Sequence, residues 1–169
     1  KQVYHLYQFI EPLLAEVLAD GCELTLADHG AGKSYLGFIL YDLFLKSKEA
    51  GTVYGIETRK ELVAHSRELA ARLDFPRMKF LDVSVEESTG SAELPDRIDV
   101  VTALHACNTA TDDAIRFALA KQAQFVVLVP CCQAEVASVL RKNKNASFGL
   151  TPLSELWRHP IHTREFGSQ

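Results

Sequence analysis

Apolar residues recur at helical spacing over residues 3–19, at Leu6, Phe9, Ile10, Leu13, Leu14, Val17 and Leu18. Pro12 falls inside that stretch and predicts a kink or two short helices; Gly21 closes it. Residues 24–28 (LTLAD) then read as a short buried strand. A glycine-bearing loop follows at 28–34 (DHGAGKS), and an apolar helix over 35–47 ends before Gly51. Residues 52–57 (TVYGIE) form the second strand. Thr58 and Glu61, three residues apart, predict a capping box. The helix that it opens runs towards Pro76, and residues 78–83 (MKFLDV) form the third strand. The polar stretch 84–97 reads as a loop or a short irregular segment. Residues 98–104 (IDVVTAL) are the fourth strand, 112–122 a helix capped by Thr109 or Thr111, 125–129 (FVVLV) the fifth strand, and 134–143 a last helix.

Strand and helix thus alternate five times. Strands that are apolar throughout require helices on both faces, which predicts an α/β fold with a doubly wound, mainly parallel sheet. Residues 144–169 contain no convincing strand pair, and Gly149, Pro152, Pro160 and Gly167 suit loops. The organisation expected is an N-terminal helical segment (1–23), a ligand-binding domain (24–143) and a tail (144–169). A parallel sheet that ended at its fifth strand would leave an apolar edge. The natural chain is therefore expected to continue past Gln169 and to complete the sheet there.

Composition narrows the class. Eighteen basic against 22 acidic residues give a net charge of −4, so no overall basic field advertises nucleic acid. The longest apolar run is about six residues, far short of a bilayer span. Cys22, Cys107, Cys131 and Cys132 have no framework spacing and read as reduced thiols of a cytoplasmic protein.

Three readings compete for the loop at 28–34. Gly32-Lys33-Ser34 between a strand and a helix resembles a triphosphate-binding P-loop, with Ala27 where the first glycine belongs. Asp28, however, would set a carboxylate beside phosphate. Gly30-Ala31-Gly32 supplies two glycines of a dinucleotide fingerprint, but Tyr35 occupies the third position. The third reading is S-adenosylmethionine, which has no phosphate and carries an ammonium, a sulfonium, a ribose diol and an adenine. A carboxylate ending the first strand is then an asset, and Gly30 and Gly32 let the backbone approach the ligand. Glu57 ends the second strand, where a carboxylate suits ribose hydroxyls, and Asp82 ends the third, where it could accept from an adenine amino group. A single acidic strand end is most often merely solvated; three in order, the first running into Gly-x-Gly, argue for a ligand.

LTLADHGAGKSYLGF, VYGIE and MKFLD resemble the first three motifs of the class I S-adenosylmethionine-dependent methyltransferases. DVVTALHACNTATDDAI and FVVLVPCCQAEV resemble a narrower methyltransferase-domain group, which includes the glutathione S-transferase C-terminal-domain-containing protein. The resemblance implies a Rossmann-like sheet of order 3-2-1-4-5-7-6, of which strands 6 and 7 have no visible counterpart here. It also implies S-adenosyl-L-methionine as cofactor. Carried over by position, Asp28, Gly30 and Gly32 face the amino-acid part, Glu57 the ribose, Asp82 and Val83 the adenine, and Leu104 and His105 the methyl donor. Ser34 stands where the third small residue is usual.

The ends of strands 4 and 5 bring His105, Cys107, Cys131 and Cys132 towards one another. The bland reading makes the cysteines core fillers and His105 a strand cap. Alternatives are His105 as general base, Cys131 as nucleophile, or a zinc site, for which no C-x-x-C pair speaks. Arg141, Lys142, Lys144, Arg158, His159, His162 and Arg164 make a basic tail: a solvated surface, or a strip for RNA phosphate. The expectation is a methyltransferase domain with RNA as a possible acceptor; its rivals are a cofactor-binding module without turnover and a P-loop domain.

Overall fold

The computed structural model describes residues 2–19, 21, 23–104 and 110–129. The first element, α1 (Gln2–Ala19), buries Ile10, Leu14 and Val17 and carries Pro12 on its exposed side. The helix is not divided into two at Pro12. An interior proline costs about 3 kcal/mol, but burying each of those three side chains returns about 1.5–3 kcal/mol. Contacts on both sides of the proline therefore hold the helix in one piece.

The chain continues through β1 (Thr25–His29) and α2 (Tyr35–Leu40), a π-helical turn (Tyr41–Leu45) and α3 (Lys46–Lys48). Then follow β2 (Thr52–Ile56), α4 (Lys60–Arg72), β3 (Met78–Leu81), α5 (Val85–Thr89), β4 (Val100–Leu104), α6 (Ala110–Ala120) and β5 (Phe125–Val129). The five described strands form one sheet of order β3-β2-β1-β4-β5, and every pairing is parallel. The winding goes outward from β1 through β2 to β3, then restarts on the other side with β4. The point of reversal lies between β1 and β4, where open α/β sheets take ligands beyond their carboxyl ends.

Successive strand residues serve opposite layers, as a pleated strand requires. Leu26, Val53, Phe80 and Val100 share a core with Ile10 and Leu14 of α1, Leu36 and Leu40 of α2, and Val63 of α4. Ala27, Tyr54, Ile56, Leu81 and Val101 pack on the other side with Leu94, Ile98, and Phe117 of α6. Among the described residues no helix is long and apolar enough to cross a membrane.

Helix starts differ from expectation in three places. Thr58 and Glu61 form no capping box: Arg59 is the N-cap of α4 with no side-chain cap bond, and the Thr58 hydroxyl donates to Glu57 instead. At an N-cap the hydroxyl oxygen would accept a main-chain N–H; here Arg59 takes the cap position and the Thr58 hydroxyl is turned to the carboxylate. The capping box is at Ser84 and Glu87, and it opens α5 inside the stretch expected as a loop. Helix α6 begins at Ala110, so Thr111 lies within it.

The amino edge of the sheet is clasped by polar groups. Thr25 donates its main-chain N–H and its hydroxyl to Asp99 Oδ2, at 2.8 and 2.7 Å. Asp99 N–H donates back to the Thr25 carbonyl, and the Asp99 carbonyl accepts from Gln124 and Phe125.

Candidate functional site

Beyond the carboxyl edge, β1 runs directly into a tight loop. Gly30 and Gly32 adopt φ of 65° and 57°, and Ser34 also lies in the left-handed region at 51°. A serine there costs about 1–2 kcal/mol. Its fully buried hydroxyl offsets the strain by donating to Asp28 Oδ2 at 3.3 Å. The loop's N–H groups mostly point inward: Ala31 donates to the Ile56 carbonyl, Gly32 to Glu57 Oε2 at 2.8 Å, and Ser34 to the Ala31 carbonyl. A phosphate cradle needs those donors aimed outward. Among the described residues space stays open above Gly30, where an added Cβ would meet no atom within 4 Å.

Asp28 is buried, and its carboxylate is turned under the loop. Its Oδ1 accepts the Thr102 hydroxyl at 2.9 Å across the β1–β4 pairing. Burial pushes its pKa up to about 6, although hydrogen bonds from Thr102, Ser34 and Gly37 pull the other way. His29, the next residue, points to the opposite layer against Phe117, with ring centroids 5.5 Å apart. It is 2% exposed, and among the described residues neither ring nitrogen has a hydrogen-bond partner. Burial holds its pKa below the usual histidine range, only partly countered by Asp113 and Glu57.

Glu57 follows β2 and is also buried. Burial raises its pKa most, but the guanidinium and N–H of Arg59 and the N–H of Gly32 together outweigh it and bring the group to about 2. Asp82 stands level with Glu57 one strand over, since Ile56 pairs with Leu81 and the Glu57 N–H donates to the Leu81 carbonyl. It is exposed, and Val83 beside it is half-buried. Leu104 ends β4, two residues past the Thr102 that pairs with Asp28, and packs on the core.

Asp28, Gly30, Gly32, Glu57, Asp82, Val83 and Leu104 therefore share the carboxyl edge of four adjacent strands. His105, Cys107, Cys131, Cys132 and the basic tail lie outside the described residues. Sequence reading missed Thr102, the role of the Ser34 hydroxyl, His29 and Arg59. Of these only Arg59 carried a legible signal, a cation two residues after a strand-ending acid. The arrangement fits a phosphate-free ligand with a cationic group and a diol. Two carboxylates border the loop, and the glycines leave room for it.

A family model described as a methyltransferase domain matches residues 1–139. No curated protein matches the chain. Among solved structures, monomeric WbdD shares the fold with a TM-score of 0.58 and 20% identity, over 98% of this chain and 36% of that one. An rRNA methylase from Streptococcus thermophilus gives a TM-score of 0.55 and 14% identity, over 82% of this chain and 78% of that one. Magnesium protoporphyrin IX methyltransferase from Synechocystis PCC 6803, with bound SAH, gives 0.50 and 18%, over 84% and 63%. In another WbdD structure the match spans only 28% of the WbdD chain.

Proposed function

Because the chain belongs to the methyltransferase-domain family that its residues 1–139 match, we propose that it binds S-adenosyl-L-methionine at the carboxyl edge of β1–β4 and transfers the methyl group. The observation that carries this reading is the pair of buried carboxylates, Asp28 and Glu57, on either side of an inward-bonded glycine loop. When bound, that cofactor supplies an electrophilic methyl group on a sulfonium, with a neutral thioether as leaving group.

In this reading Glu57 accepts the ribose hydroxyls. Asp28 acts through its negative field on the ammonium and sulfonium, because its own oxygens are bonded to Thr102 and Ser34. Gly30 and Gly32 admit the amino-acid part, Asp82 and Val83 flank the adenine, and Leu104 borders the methyl donor. On the acceptor side we retain His105 as general base and Cys131 as the alternative nucleophile. We further take the protein to be cytoplasmic, from its unframed cysteines.

Calorimetry with S-adenosylhomocysteine, ATP and NAD separates the three readings of the loop. Binding is expected for S-adenosylhomocysteine alone. Lys33 is exposed at the start of α2, so Lys33→Ala is expected to leave that affinity unchanged. Magnesium-dependent ATP binding abolished by Lys33→Ala would overturn the assignment.

We take RNA as the acceptor class by analogy with other methyltransferases, among them the rRNA methylase that shares the fold; the basic tail is the part of the sequence that would meet it. Reversing Arg158 and Arg164 to glutamate is then expected to weaken RNA binding and flatten its salt dependence. An RNA affinity that is indifferent both to salt and to these substitutions would remove RNA from consideration.

A further inference from the structure

We propose that Arg59 is a built-in competitor at this site: its guanidinium occupies Glu57 where a ligand's vicinal diol would bind, and it must leave before the ligand's hydroxyls can take its place. The inference rests on reading Glu57 as the ribose acceptor and adds to that reading the group that must leave.

Arg59 Nε donates to Glu57 Oε1 and Nη2 to Oε2, both at 3.0 Å. This is a two-pronged fork with one donor for each carboxylate oxygen. A cis-diol offers the same thing, two O–H donors on adjacent carbons. The two cannot be accommodated together. A carboxylate has about four acceptor sites, and Glu57 already takes the Gly32 N–H at 2.8 Å, the Arg59 N–H at 3.1 Å and the Thr58 hydroxyl at 3.3 Å. With the two guanidinium bonds these make five donors, already more than the about four acceptor sites, so a ligand's hydroxyls must take the places of the guanidinium rather than add to it.

Which donors yield follows from how each is held. The Gly32 and Arg59 N–H groups are main chain, fixed by the loop and by the start of α4. The Arg59 side chain is 59% exposed, and among the described residues its hydrogen bonds go to Glu57 alone. It can swing into water at the cost of one screened ion pair. It also reaches over the loop, since a Cβ built on Gly32 would lie 3.7 Å from Nη2. Entry of a ligand over Gly32 and release of the guanidinium are thus one event.

The count of bonds sets the affinity. Every ligand that uses Glu57 must displace both prongs. One with two hydroxyls restores both bonds, and one with a single hydroxyl restores only one. Removing the guanidinium lifts that displacement equally for all of them, so every affinity rises while the difference of one hydrogen bond between the two kinds of ligand stays.

The test is calorimetry of the full chain and its Arg59→Ala and Arg59→Gln variants with S-adenosylhomocysteine and its 2′-deoxy counterpart. Arg59→Ala is expected to bind S-adenosylhomocysteine about three- to tenfold more tightly. The 2′-deoxy ligand is expected to gain by the same factor, so that the preference for the diol stays, with Arg59→Gln between parent and Arg59→Ala in affinity. Weaker binding by Arg59→Ala would overturn the proposal, because the guanidinium would then be contacting the ligand. So would an unchanged affinity. Glu57→Gln, measured alongside, isolates the underlying reading: if its affinity and preference equal those of the parent, Glu57 is not the ribose acceptor, whatever Arg59 does.

Discussion

Replacing Asp28 by asparagine is expected to stabilise the folded chain by about 1–2 kcal/mol at pH 7.5 and to weaken cofactor binding. The ionised carboxylate sits almost fully buried, and its pKa is raised from 3.8 to about 6. That displacement corresponds to about 3 kcal/mol at about 1.4 kcal/mol per pH unit. Asparagine removes this penalty. It also turns one acceptor into an amide donor opposite Ser34 or Thr102, which gives back about 1 kcal/mol.

The pH dependence has a definite sign. A raised folded-state pKa means that the group's contribution is fully present below pH 3.8 and is lost as pH rises through about 6. The advantage of the variant should therefore be absent near pH 3.5, grow between pH 4 and 6, and stay level above. His29 works the other way: its folded pKa is lowered, so its contribution is present above 6.5 and declines as pH falls. Comparing variant and parent at each pH cancels it. Chemical denaturation across pH 4–8 provides the measurement. A variant less stable than its parent at pH 7.5 would mean that the carboxylate's hydrogen bonds outweigh its desolvation.

Glu57→Ala is the change expected to damage binding most, by about ten- to a hundredfold in affinity for S-adenosylhomocysteine. A hydrogen bond to a charged acceptor contributes about 1.5–3 kcal/mol, and the ribose is read as making two. The loss falls short of their sum because the parent must first displace Arg59. The alanine variant also leaves the Gly32 N–H without its partner, so its fold should be checked by circular dichroism before titration. Undiminished affinity in a folded variant would refute the role given to Glu57.

Both residues were legible in the sequence because each sits at a strand end. The five strands stood out because burial on two faces leaves no polar alternation to confuse with a helix, and their observed limits differ from expectation by no more than two residues. What stayed hidden depends on partners far away in the chain or on competition between neighbours. Thr102 meets Asp28 across 74 residues, and nothing in IDVVTAL marks one threonine as a donor to another strand. Pro12 looked like a break because local rules cannot weigh the packing on either side of it. Thr58 and Glu61 have the spacing of a cap, and spacing alone does not show that the Thr58 hydroxyl turns to the preceding carboxylate while Arg59 takes the cap position. The shift from α to π winding at Tyr41 has no sequence signature that we can identify. His29 occupies a position where any residue would satisfy the Asp-x-Gly pattern, so its burial without a partner could not be foreseen.

The clasp between Thr25 and Asp99 also bears on how quickly the sheet assembles. Strands β1, β2 and β3 follow one another with single crossovers, so each pairing closes a short loop and can form as that part of the chain is synthesised. The other side of β1 must wait for β4, and the clasp that seals it joins residues 74 apart. Loop closure of that length is the largest entropic step among the described pairings. Until it is made, one margin of the strand destined for the centre stands open to the pairing partners that an exposed edge attracts. The time a nascent chain spends in that condition is set less by the strength of the strands than by how fast residues 25 and 99 find each other.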